Sequence, residues 1–168
     1  GTGYATSQDG VYWEKPKLGL HEWNGSRENN LRLIGSLNCL IKDEKEPDPD
    51  KRYKGLMHGD ATKVIRVFSP DGIHWNLERL CHAWDFNDYL GKIKAPLYEP
   101  HSLMRDDADP EKLFKVYGQA APGFGIPSTD EYAPYELGIE KGPRMGGMAY
   151  SPDFIHWVQP SENPILDP

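Results

Sequence analysis

Ser69-Pro70-Asp71-Gly72-Ile73-His74-Trp75 decides the fold, because the chain writes it three times. The first copy is Ser7-Gln8-Asp9-Gly10-Val11-Tyr12-Trp13 and the third is Ser151-Pro152-Asp153-Phe154-Ile155-His156-Trp157. The shared core, Ser-x-Asp-(Gly/Phe)-x-x-Trp, has the chemistry of a tight turn. An Asp at that place accepts hydrogen bonds from the backbone N–H groups just ahead of it, and Gly takes the positive φ a hairpin asks for. Ser adds a second bond from side chain to backbone. Trp then covers the turn and packs between neighbouring sheets. Phe154, standing where the other copies have Gly, predicts a slightly different third turn.

A second repeat precedes the turn. Asn38-Cys39-Leu40-Ile41-Lys42-Asp43, followed by Pro47-Asp48-Pro49-Asp50-Lys51-Arg52-Tyr53-Lys54-Gly55, reads as strand, Asp-Pro turn, strand. Its counterpart is His101-Ser102-Leu103-Met104-Arg105-Asp106, followed by Ala108-Asp109-Pro110-Glu111-Lys112-Leu113-Phe114-Lys115-Val116-Tyr117-Gly118. The joined unit is strand, Asp-Pro turn, strand, variable loop, strand, Ser-x-Asp turn, strand. Four antiparallel strands in a repeated unit define a propeller blade. The expected fold is therefore all-β: an open arc of a β-propeller with about two complete blades and part of a third.

The expected division makes 1–16 the closing hairpin of an earlier blade and 17–94 the first complete blade with its flanking loops. Residues 95–160 form the second complete blade, and 161–168 start the next. A closed ring needs at least four blades, so the arc is expected to be truncated at both ends and inactive alone. A β-sandwich of short hairpins is the competing architecture, and the double repeat speaks against it.

Composition agrees with a globular chain. Of 168 residues, 38% are hydrophobic and 27% charged, with 17 Gly and 15 Pro clustered between short apolar runs, which is the punctuation of many strands. The net charge of -7, with no Lys/Arg cluster, argues against a nucleic-acid partner. No apolar run approaches the roughly 20 residues that span a bilayer. Cys39 and Cys81 have no metal-ligand spacing and read as free, buried thiols, with a bridge between them as the alternative. No metal site and no cofactor are expected. The acidic turns 43–50 and 106–109 lack calcium-loop spacing and read as solvated. Compartment and oligomeric state are not readable.

The Ser-x-Asp-Gly-x-x-Trp turn, the Asp-Pro-x-x-(Arg/Leu)-(Tyr/Phe)-Lys strand and the ending Asn163-Pro164-Ile165-Leu166-Asp167-Pro168 resemble the five-bladed glycosyl hydrolases. That superfamily holds arabinanases, levansucrases and invertases. The opening run through Trp13-Glu14-Lys15-Pro16 to Asn29-Asn30 is similar to a poorly characterised bacterial branch of it. The resemblance implies an oligosaccharide or polysaccharide substrate and a site at the propeller axis. Sialidases are the neighbouring alternative, but their repeated turn is one residue longer. The chain also lacks an obvious set of three equivalent inner arginines.

Glycoside hydrolysis asks for a general acid and a base or nucleophile, with carboxyls about 5–5.5 Å apart for retention and roughly 6.5–9.5 Å for inversion. Glu99, ahead of Pro100 at the start of an inner strand, is the first catalytic candidate. The resemblance supports it through an acidic-Pro strand start, although Tyr98 and Glu99 replace the expected Arg-Asp. Asp60, in the loop after Met57-His58-Gly59, is the second. His101 and Asn38 occupy equivalent inner-strand positions and are candidate sugar-hydroxyl contacts. His58, Trp84 and Asp85 complete the candidate set, Trp84 as a stacking platform in the entry loop from His82 to Tyr89, with packing against the next blade as its alternative. The long insertion from Gln119 to Arg144 is a candidate flap. A non-catalytic propeller that binds glycans or a protein is the second functional reading.

Overall fold

The computed structural model describes residues 2–33, 37–58, 63–85, 88–89, 92–120, 127–130, 133–135 and 145–166, with the backbone alone at 33, 58, 77–81, 127–130 and 133–135. No α-helix occurs among them. Strands β1 (Thr2–Gly3) and β2 (Leu31–Leu33) pair with each other. The first large sheet is β3 (Leu37–Lys42), β4 (Tyr53–His58), β5 (Lys63–Ser69) and β6 (Asn76–Asp85), antiparallel in the order β3-β4-β5-β6. The second is built from β7 (Leu97–Arg105), β8 (Phe114–Ala120) and β11 (Met145–Ser151), in the order β11-β8-β7. Between the last two, β9 (Pro127–Asp130) and β10 (Ala133–Tyr135) pair within the long insertion. Short 3-10 turns at Pro49–Lys51 and Pro110–Lys112 occupy the two Asp-Pro turns.

The second sheet repeats the first strand for strand. Lys42 faces Tyr53 as Arg105 faces Phe114, and Tyr53 faces Ser69 as Phe114 faces Ser151. Opposite β5, Phe68 faces Asn76 and Val64 faces Trp84. Opposite β11, the matching bridges are Tyr150 to Val158 and Gly146 to Leu166. The segment after Trp157 is thus an irregular fourth edge of the second sheet, its middle held where the Asn163 side chain bonds both the Met148 N–H and C=O. Isolated bridges to β11 therefore continue as far as Leu166.

Alternating apolar residues along each strand give the sheets two buried faces. Cys39, Leu56, Val64 and Trp84 of the first sheet meet Leu97, Tyr98, Phe114, Val116, Ala149, Phe154 and Trp157 of the second. Leu56, Val64 and Val116 have no exposed area, and each such burial contributes about 2 kcal/mol. On its opposite face the first sheet gathers Met57, Ile65 and Val67 with Leu37 and Trp75. Arg32 lies over Trp75, its guanidinium 5.2 Å from the ring centroid, and donates to the Gly72 carbonyl.

The three turns form alike. In each, a carboxylate oxygen of Asp9, Asp71 or Asp153 accepts two backbone N–H bonds at 2.7–2.9 Å, and Ser and Asp also bond each other. The Trp indole donates to the carbonyl of the residue three before it. Phe154 keeps the left-handed backbone with φ +66, beside +77 at Gly10 and Gly72, but the 2.8 Å bonds from the Gly10 and Gly72 N–H groups to the Ser hydroxyls are not repeated at Phe154, so the third turn differs slightly, as expected. The left-handed conformation of a bulky residue costs energy. Phe154 meets that cost by complete burial among Phe68, Phe114 and Trp157, with ring centroids 5.2–5.7 Å away.

Two expectations about acidic and aromatic residues are corrected. Asp43 is not a solvated turn residue but 1% exposed. It takes two bonds of 2.8 Å from one Arg105 nitrogen and lies 3.2 Å from the equally buried Lys54 ammonium, which also bonds Glu46 at 2.7 Å. The residues 82–85 are not loop but the end of β6. Trp84 there is 4% exposed, edge-on to Trp157 at 5.7 Å, with its indole N–H donated to the Leu97 carbonyl. No face is left on which a sugar could stack.

Candidate functional site

Strand β7 leaves regular pairing twice. Leu97 faces Ala120 and Glu99 faces Gln119, which makes Tyr98 an extra residue. Pro100 faces Gly118 and Ser102 faces Tyr117, which makes His101 another. Each such bulge bends a strand and re-aims its side chains, and bulges gather beside active sites. Pro100 brings no N–H, and β7 is an edge strand, where that lack is tolerated. Strand β3 repeats the second bulge: Leu37 faces Met57 and Cys39 faces Leu56, so Asn38 is the extra residue there. Asn38 and His101 thus hold the same place in the two sheets, on edge strands that run beside each other.

The bulges bring Glu99 and His101 together. Glu99 Oε1 lies 3.6 Å from His101 Nε2, with side-chain exposures of 36% and 55%. That separation is longer than a direct hydrogen bond, and it leaves the imidazole able to turn toward an added group. His101 and Ser102, together with Tyr117, Gly118, Gln119 and Met145, line an open hollow of roughly 470 Å³. An imidazole, a hydroxyl, an amide and a phenol around one concavity, with the Glu99 carboxylate next to the imidazole, form the kind of polar set that orients a polyhydroxylated molecule. The close fit depends on Gly118, where a Cβ would lie 1.9 Å from the Glu99 carbonyl oxygen.

The other sequence candidates fall elsewhere. Trp84 supports the start of β7 from beneath, through its bond to Leu97. Asp85 ends β6 opposite Lys63, half-buried, and does not line the hollow. Asp60 and the His58 side chain lie outside the described residues, as does most of the insertion from Gln119 to Arg144. Ser102, Tyr117, Gln119 and Met145 were not anticipated at the site. Gly118, which interrupts the apolar alternation of β8, was the one visible sign that something approaches that strand closely.

The turn carboxylates are committed to structure. Asp71 and Asp153 bond their own turns and also His74 Nδ1 at 2.7 Å and His156 Nδ1 at 2.6 Å. Partial burial opposes the Asp153 charge, yet bonds from His156, the Ile155 N–H and Ser151 outweigh it and hold the carboxyl down at about 2. Asp71 is lowered for the same reasons. Cys39 is buried and free of any disulfide, and burial pushes its thiol up to about 12. Among the described residues no helix is long and apolar enough to cross a membrane. No family model, curated protein or solved structure matches the chain.

Proposed function

We propose that the chain is part of a β-propeller acting on a carbohydrate, as a glycoside hydrolase whose carboxylate Glu99 stands at the hub. The observation that carries this reading is the Glu99–His101 pair, set by two consecutive bulges of one edge strand beside a polar hollow. The matching register of two stacked antiparallel sheets, with β3 beside β7, supports propeller packing, in which the first strands of successive blades face the axis. In this arrangement Glu99 serves as acid, base or nucleophile, and His101, Ser102 and Gln119 hold sugar hydroxyls. A partner carboxylate about 5–9.5 Å away then sets the stereochemical outcome. Asp60 remains the sequence candidate for that part.

The test is turnover of a panel of aryl glycosides and oligosaccharides by the full-length product of the reading frame, since the arc alone is expected to be inactive. Glu99→Gln keeps the carboxylate's shape and removes its charge and basicity. It is expected to lower kcat at least about 100-fold with little change in folding. Undiminished turnover in that variant removes Glu99 from catalysis. A second reading, glycan binding without hydrolysis, is favoured by one observation: none of the described residues that line the hollow is a carboxylate. Oligosaccharide binding that depends on His101, with no turnover by the unmodified protein, would select it.

A further inference from the structure

The two residues after each turn Trp are Glu14-Lys15, Asn76-Leu77 and Val158-Gln159. The repeat itself sets no amide at the second of these places, so Gln159 answers a local need. Gln159 is 4% exposed, and its side chain reaches Leu97, 62 residues back in the chain. Its carbonyl oxygen accepts the Leu97 N–H at 2.6 Å, and its amide nitrogen donates to the Leu97 carbonyl at 3.1 Å. The Trp84 indole donates to that same carbonyl, also at 3.1 Å. Asn163 holds Gln159 in turn, donating to its carbonyl oxygen at 3.3 Å while it bonds both the N–H and the C=O of Met148 on β11.

Leu97 is the last residue of β7 before the first bulge. A bulge competes with regular pairing. If the extra residue Tyr98 slid into register with β8, side chains there would change faces and Glu99 would leave His101. An amide that bonds both polar groups of one residue fixes where that residue lies along its strand. The clamp is strong because Leu97 has no exposed area, so an N–H or C=O without its partner would be left unsatisfied in the core. Gly118 secures the other side of the bulge by admitting the Glu99 carbonyl.

We propose that Gln159 is a positioning residue for the candidate site: through Leu97 it holds β7 in the bulged register that sets Glu99 beside His101. The consequence for turnover rests on the carbohydrate reading, whereas the register is testable without any substrate.

The experiment uses the full-length product of the reading frame, isotope-labelled in its histidine rings for magnetic resonance. Gln159→Met keeps the length of the side chain and removes both polar ends. The His101 ring resonances are expected to move in this variant. They are expected to stay in place in Asp153→Asn, which weakens the neighbouring turn without touching Leu97. Turnover of the oligosaccharide panel is expected to fall at least about tenfold in Gln159→Met, as misplacement of a reacting group does, and to hold in Asp153→Asn. Trp84→Phe removes one of the three bonds to Leu97 and keeps an aromatic ring in the core. It is expected to move the same resonances by less, and it decides the question if Gln159→Met does not fold. His101 resonances unmoved in the folded variant overturn the proposal, whatever the turnover. Unchanged turnover in Gln159→Met beside lost turnover in Glu99→Gln overturns it as well. Moved resonances together with undiminished turnover in Glu99→Gln keep Gln159 as the residue that positions the pair and remove only the hydrolytic reading.

Discussion

Gly118 shows how much of the candidate site depends on one missing atom. Its Cα lies against the backbone of the Glu99–Pro100 peptide, so a Cβ cannot be added without displacing β7. Gly118→Ala is expected to destabilise the fold by about 2 kcal/mol or more, since a backbone neighbour cannot swing aside as a side chain can. Chemical denaturation measures this, and sugar binding should fall together with stability. At this scale the sequence was a partial guide. Glu99 and His101 were visible because an acidic residue and a His frame a Pro on an apolar strand. The bulges that aim them were not visible, because an extra residue leaves no mark in composition. Trp84 was left between two roles for a related reason: an indole among carboxylates reads the same whether it stacks on a ligand or fills a core. The register of β6 alone decides between them.

Among elements, the stacking of the sheets turns on charge as well as apolar area. Arg105, at the end of β7, reaches the buried Asp43 that follows β3, while Lys45 pairs with Asp107 at 2.9 Å on the exposed side of the same junction. The exposed pair contributes little. Removing Arg105 is different, because Asp43 would remain in a dry site with Lys54 as its nearest cation. Arg105→Met is expected to cost about 3 kcal/mol, read as a lower urea midpoint at unchanged slope. An unchanged midpoint would mean that the pair does not hold the sheets together. The repeat of strands and turns was legible because hydrogen-bonding turns demand particular residues at fixed spacing. The burial of Asp43 was not, because its partner lies 62 residues away and acidic residues beside Asp-Pro turns are ordinarily solvated. Within each sheet the ammonium clamp recurs, Lys54 on Asp43 and Glu46, Lys115 on Asp106 and Asp109. That side-chain repetition supports duplication of one unit more directly than the strand count does.

At the scale of the whole molecule, acid should act through the turns. Asp71 and Asp153 are held below the ordinary carboxylate range in the folded chain, Asp153 at about 2. A carboxyl lowered by folding contributes stability that is complete above its unfolded value of about 3.9 and is lost as pH falls toward the folded value. Thermal midpoints should therefore drop between about pH 4 and pH 2. Asp153→Asn should flatten that part of the profile while lowering the plateau near neutrality. An unaltered profile in Asp153→Asn would show that the turn bonds do not couple to global stability.

Because each Ser-x-Asp turn is closed by its own side chains over two or three residues, its formation in the unfolded chain demands almost no loop closure, whereas the Arg105 junction must gather a long one. The order of events on the folding route follows from that asymmetry: local hairpins first, the clasp between sheets last. In kinetic terms, Asp71→Asn should slow refolding, and Arg105→Met should leave refolding nearly untouched and hasten unfolding.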